Sequence, residues 1–317
     1  GFCQSLENTM NHQPPNTLSR RTFLAASSAA VIGAALTPSL HAAEPTTAPK
    51  RPGMKKALKF SMIAGNLSVL DKFKLAKEVG FDGIEMDSPS NLNKDEVLKA
   101  RDATGLAIPG VVDSVHWEKP FSHPDPKVRA EGLAGLQTAL HECKLYGGTT
   151  VLLVPAIVNK QVSYDQAYKR SQEEIRKALP LAEKLNIKIA IENVWNQFLL
   201  SPLEAARYID EFQSPWIGWH FDIGNIVNFG FPEQWIRILN KRIAKLDVKE
   251  FSRSKRDKEG LWKGFDVELL EGDNDWPAVM KALDDIGYRG WAALEVPGGG
   301  RDRLQFLSDR LSRIFES

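Results

Sequence analysis

The chain has 317 residues, of which 43% are hydrophobic and 26% charged, enough for one large core and ordinary for a globular protein. Lys and Arg number 41 against 40 Asp and Glu, a formal charge of +1. That balance lacks the basic excess a nucleic-acid surface requires, so no nucleic-acid partner is expected.

The first forty-odd residues read as an address. Ser19-Arg20-Arg21-Thr22-Phe23-Leu24 carries a twin arginine, a mildly apolar run follows over 25–36, and His41-Ala42-Ala43 offers a cleavage site. The competing reading is an unstructured, Pro-containing terminus that happens to hold two arginines. The address predicts a twin-arginine signal peptide and leader over 1–43, a linker over 44–57, a barrel over 58–317, and a periplasmic or otherwise exported product. The apolar run is too short and too rich in Ala and Ser for a bilayer anchor, so no stable membrane insertion is expected once it is removed. A cut near Ala43 takes Arg20, Arg21 and Glu7, leaving 39 basic and 39 acidic residues. It also takes Cys3, leaving Cys143 without a disulfide partner in a helical pattern with Leu140 and Tyr146.

From Leu58 onward, short apolar runs alternate with longer amphipathic stretches. The runs predict strands over 58–63, 83–86, 107–112, 149–154, 187–192, 217–222, 243–249 and 291–296. The stretches predict helices over 69–78, 94–103, 126–145, 164–185, 202–212, 233–240, 276–286 and 301–315. Eight strand–helix units without a glycine-rich first turn predict a closed (β/α)8 barrel rather than an open sheet. Gly80, Gly147 and Gly287 stand where helix C-caps belong.

Reactive groups in such barrels sit at the C-terminal ends of strands. Strand five ends in Glu192-Asn193, strand six in His220-Phe-Asp222, strand seven carries Lys245, Asp247, Lys249 and Glu250, and strand eight ends in Glu295. Glu192, Asp222, Asp247 and Glu295 cannot all ionise close together without a cation among them, and a hard divalent ion on oxygen ligands resolves the conflict. The alternative is that each carboxylate pairs with a nearby cation such as Lys245 or Lys249.

These residues resemble the sugar phosphate isomerase/epimerase group of xylose isomerase-like TIM barrels, which includes ketose 3-epimerases and hydroxypyruvate isomerases. The resemblance runs from Leu58 to the C-terminus. It is most specific in Glu271-Gly272-Asp273-Asn274-Asp275-Trp276-Pro277, Ile286-Gly287-Tyr288-Arg289-Gly290-Trp291 and Leu294-Glu295-Val296-Pro297, with Asp222-Ile223-Gly224-Asn225 matching an Asp-x-Gly-His motif. It implies one metal held by Glu192, Asp222 and Glu295, with Asp247 where the family has histidine and Asn225 where the motif has its own. An all-oxygen set favours manganese or magnesium over zinc.

The resemblance further implies that Glu192 and Glu295 act as acid and base on opposite faces of a carbon next to a carbonyl, through an enediolate. The expected partner is a small carbohydrate, and the sequence leaves room for a homo-oligomer. His116, Asn225, Lys249 and His220 are the candidate substrate contacts. His116 reads equally as a loop histidine, His220 as a buried core group, and Lys249 as a structural partner of Glu250 or Asp247. Gly298-Gly299-Gly300-Arg301 reads as an ordinary turn or as a phosphate cradle, and the stretch 251–264 as a lid or a solvated loop. Two other functions remain in view: a lyase or hydratase on 3-keto-glycosides with the same metal site, and a non-catalytic sugar-binding barrel. A three-zinc nuclease needs more histidines than His116, His123, His141 and His220 supply.

Overall fold

A computed structural model describes residues 52–317, so the twin-arginine segment, the cleavage position and most of the linker lie outside the described residues. Eight parallel strands close a barrel in chain order: β1 (Lys55–Lys59), β2 (Gly83–Ser88), β3 (Gly110–Asp113), β4 (Thr150–Leu153), β5 (Lys188–Glu192), β6 (Ile217–Asp222), β7 (Ile243–Val248) and β8 (Trp291–Leu294). Around them run α1 (Val69–Glu78), α2 (Lys94–Thr104), α3 (Pro126–Tyr146), α4 (Tyr164–Leu185), α5 (Pro202–Asp210), α6 (Gly224–Val227), α7 (Pro232–Leu239), α8 (Arg253–Glu259), α9 (Trp276–Asp285) and α10 (Arg301–Glu316).

The helix starts follow from local chemistry. The Ser68, Asn93, Asp125, Ser201 and Asp275 side chains each accept a backbone N–H of the first turn, with proline opening α3, α5 and α9. Gly80, Gly147 and Gly287 follow helices at φ of +86°, +83° and +67°, where a side chain would be strained.

Two strands differ most from expectation at their starts. β1 starts at Lys55, because Lys55 and Lys56 pair with Trp291 and Ala292 of β8 despite their polarity, and residues 60–62 then turn into a 3-10 helix. β3 starts at Gly110, because Pro109 has no N–H for the ladder. Two short helices were not expected, α6 and α8; α8 and a 3-10 turn over Leu261–Phe265 fill the stretch read as lid or loop.

Aliphatic and aromatic side chains fill the space between strands and helices. Part of the barrel interior is ionic instead. Lys59, Glu85, His220, Lys245 and Asp247 are all buried, and such charges are tolerable only when paired. Among the described residues no helix is long and apolar enough to cross a membrane.

Candidate active site

Four carboxylates meet where β5 to β8 end. Glu192 closes β5, Asp222 closes β6, Asp247 is the penultimate residue of β7, and Glu295 follows β8 directly. Each offers an oxygen within 4.8 Å of the others'. A bulge sets this up: Trp219 pairs with Ile243 but His220 with Lys245, and the skipped Ala244 brings Asp222 beside Asp247 rather than Leu246. The Glu295 N–H then donates to the Val248 carbonyl (3.2 Å), prolonging the β7–β8 ladder to the last carboxylate.

Among the described residues, two lysines reach this group. Lys249 Nζ lies 2.9 Å from Asp222 Oδ2 and 2.6 Å from Glu295 Oε2. Lys59 Nζ lies 2.9 Å from Asp247 Oδ2 and 2.5 Å from Glu85 Oε2. Glu85 also meets Lys245, which balances that carboxylate separately. Four carboxylates against Lys59 and Lys249 leave two formal negative charges. One lysine per carboxylate, the alternative expected from sequence, is therefore not what the fold provides.

The proton affinities follow that imbalance. Burial, then the charges of Glu295, Asp247 and Asp222, push Glu192 well above the usual carboxylate range. Burial also lifts Asp222, to about 7, against the pull of Lys249. Asp247 goes the other way: burial would raise it, but His220 and Lys59 outweigh burial and hold it low. Burial opposes the charge on Lys249, and Asp222, Glu295 and Glu192 overcome it.

The donor set fits a hard divalent cation. Oxygens on opposite sides of such an ion stand roughly 4–5 Å apart, given ion–oxygen distances of about 2.0–2.6 Å. Asp222 Oδ2 and Asp247 Oδ2 are buried outside hydrogen-bond geometry among the described residues, with only the two ammonium groups within ion-pair reach.

Neighbouring polar groups hold the carboxylates in place. Asn193 Oδ1 accepts the Asp222 N–H (3.1 Å) and the Trp219 indole N–H (2.9 Å), locking β5 to β6. The Asn225 N–H donates to Asp222 Oδ1 (2.9 Å), and its amide donates to the Asn193 carbonyl (3.0 Å). His220 Nε2 lies 2.9 Å from Asp247 Oδ1. Glu250 takes the Trp276 indole N–H (2.9 Å) and the Asn274 amide (2.7 Å), so two residues of the Asp-Asn-Asp-Trp-Pro motif anchor a loop rather than touch the site.

The carboxylates open into a cavity of about 850 Å³. Glu192, Glu295, His116, Asn225 and Lys249 line it, whereas Asp222 and Asp247 lie just beneath. His220 does not line it; only 1% exposed, it supports Asp247 from below and is no substrate contact. His116 Nδ1 accepts the Val154 N–H at 3.3 Å, which leaves the ring proton on Nε2, and burial followed by Lys59 lowers its pKa to about 4. Lys249 pairs with Asp222 and Glu295, not with Glu250 or Asp247. The Gly298–Gly300 turn is a packing device: a Cβ on Gly298 would collide with the Met62 carbonyl, and none of the three glycines lines the cavity.

Sequence reasoning missed Lys59, Asp87 and Asp113, which line the cavity from β1, β2 and β3, and the aromatic wall of Trp117, Trp195, Trp262 and Phe265. The strand-end rule, applied to Gly-Ile-Glu85-Met-Asp87 and Gly-Val-Val-Asp113, would have found the two aspartates. Trp117 and Trp195 sit in loops and Trp262 and Phe265 in a short 3-10 turn, where no periodicity marks them.

The sequence matches the model of the family "Xylose isomerase-like TIM barrel" over residues 73–311. The chain belongs to that family. Relatives of this xylose isomerase-like barrel include the L-ribulose-5-phosphate 3-epimerase UlaE of Escherichia coli, 26% identical over 239 residues that cover 72% of this chain and 81% of the relative. The putative L-ribulose-5-phosphate 3-epimerase SgbU of E. coli K12 is 25% identical over 247 residues, 74% of this chain and 85% of the relative. Two solved structures share the fold. The 3-keto-D-glucoside 4-epimerase YcjR from E. coli has a TM-score of 0.66 and 18% identity, covering 82% of this chain and 98% of that one. A D-allulose 3-epimerase from Methylomonas sp. has a TM-score of 0.67 and 17% identity, covering 84% and 99%. With sugar epimerases as its homologues, the xylose isomerase-like chain is an enzyme of the isomerase/epimerase class.

Proposed function

We propose that the protein is a metal-dependent sugar isomerase or epimerase that removes a proton from a carbon next to a carbonyl and returns it through an enediolate. The observation that carries this is the cluster of four strand-end carboxylates left two positive charges short. Glu192, Asp222, Asp247 and Glu295 would hold one divalent ion, manganese or magnesium in preference to zinc because every donor is oxygen. When bound, such an ion polarises the carbonyl and its neighbouring hydroxyl and so acidifies the C–H between them.

The chain's own groups do the rest. Glu192 and Glu295 stand on strands three apart in the ring, which suits work from two sides of one carbon. Glu192, at the end of β5, lines the cavity on one side and is placed to return a proton. Glu295 Oε2, held 2.6 Å from Lys249 and partly exposed, is placed to take one. His116, neutral at physiological pH, offers hydrogen bonding to sugar hydroxyls without adding charge. The twin-arginine leader supports action outside the inner membrane.

The test is hydrogen exchange in heavy water over a panel of ketoses and keto-sugars, with Glu295→Gln as the variant. Exchange and turnover should fall roughly 10³-fold while the circular dichroism spectrum stays unchanged; full activity in the variant sinks the proposal. Exchange coupled to loss of a leaving group would move the assignment to elimination.

A further inference from the structure

The cavity is larger, more aromatic and less cationic than one small phosphorylated ketose needs. Its volume of about 850 Å³ lies in the upper part of the roughly 300–1,000 Å³ range of sites that enclose drug-sized ligands. Among its lining side chains only Lys59 and Lys249 carry positive charge, and both already bridge carboxylates. Asp87 and Asp113 add acidic groups to the wall, and no arginine among the described residues lines it. A phosphate dianion there would lose hydration and gain no unengaged cation.

The mouth carries two exposed indoles. Trp262 is 67% exposed yet held in place, its ring 4.9 Å from that of Trp195, whose indole N–H donates to the Asn225 carbonyl at 2.8 Å. Trp117 is 49% exposed and meets His116 edge-on at 5.6 Å and 77°. The two come from the connections after β7 and β3, strands that stand opposite in the eight-strand ring. Such faces, held by their neighbours and still open to water, offer flat apolar surface that a ligand can cover. Sugar rings present flat C–H faces that pack on indoles, while their hydroxyls keep water or polar contacts.

We infer that the mouth is a second sugar subsite, and that the substrate is an uncharged glycoside whose reacting ring sits at the carboxylates while its outer ring packs between Trp262 and Trp117. The inference rests on the reaction class proposed above and names its substrate. It also separates this chain from relatives whose names specify a sugar phosphate.

Calorimetric titration of the metal-loaded protein tests it, with glucose, glucose 6-phosphate, maltose, cellobiose and trehalose as probes. At least one disaccharide should bind tenfold or more tighter than glucose, and glucose 6-phosphate no tighter than glucose. In Trp262→Ala and Trp117→Ala the disaccharide-to-glucose ratio should fall at least fivefold, and Trp262→Phe should keep most of it. Equal affinities for glucose and every disaccharide, tighter binding of glucose 6-phosphate, or a ratio unmoved by either alanine variant would overturn the subsite. The exchange assay is independent: loss of exchange with the disaccharide preference intact would discard the reaction class and keep the subsite.

Discussion

Asp113 closes β3 with Oδ2 buried and outside hydrogen-bond geometry, and with Oδ1 receiving only the Val115 N–H at 3.2 Å. Burial outweighs that single donor and pushes the carboxyl from 3.8 up to about 7. The folded protein therefore keeps a proton that the unfolded chain releases between about pH 4 and pH 7. Stability from this group is complete below pH 4 and is lost as pH rises through 7, at up to about 1.4 kcal/mol per pH unit. Over about three pH units the ceiling is about 4 kcal/mol, and relaxation around the charge brings the expected loss to about 2–4 kcal/mol. Asp113→Asn keeps the shape and carries no charge at any pH. Urea unfolding of both proteins in chelator at pH 4.5, 6, 7 and 8 should show a gap that opens with pH, the variant becoming the more stable by about 2–4 kcal/mol at pH 8. A gap of the same size at every pH would refute the reasoning.

Three further outcomes are expected. Removing divalent ions with a chelator should lower the melting temperature by about 5–10 °C relative to protein in excess manganese, since saturation at a hundred times Kd contributes about 2.7 kcal/mol; a scan unmoved by any divalent ion would argue against the carboxylate site. Gly110→Ala should cost about 2–3 kcal/mol by urea unfolding, because its Cβ would stand 2.5 Å from the Thr150 carbonyl oxygen in the adjacent strand. Cys143 is fully buried and burial pushes its thiol up to about 12, so it should resist a thiol-disulfide reagent in native buffer and react once denaturant is added.

How much was legible depends on where the information lies. Val69–Glu78 and Tyr164–Leu185 were readable to the residue because Ser68 and Ser163 mark their starts and an apolar face runs through each. Asp222 was readable as a strand end because its run is uniformly buried. α8 was not, since Arg-Ser-Lys-Arg-Asp-Lys-Glu has no apolar face and is held by long-range bonds from Arg253 to the Val227 carbonyl and from Arg256 to Asn228. The β6–β7 bulge that aligns Asp222 with Asp247 leaves no mark in the sequence. Lys59 looks like a lone polar residue inside the apolar run 58–63 until closure of the barrel sets it against Glu85 and Asp247.

The buried chain of Lys245, Glu85, Lys59, Asp247 and His220 links β1, β2, β6 and β7 beneath the cavity. Aliphatic packing tolerates a lost methyl group by settling inward, but an ionic floor has no such slack: neutralising one member strands its neighbour without a counter-charge. Tuning the chemistry therefore reshapes the scaffold beneath it. The rim is freer to vary, because Trp117 and Trp262 stand clear of the network.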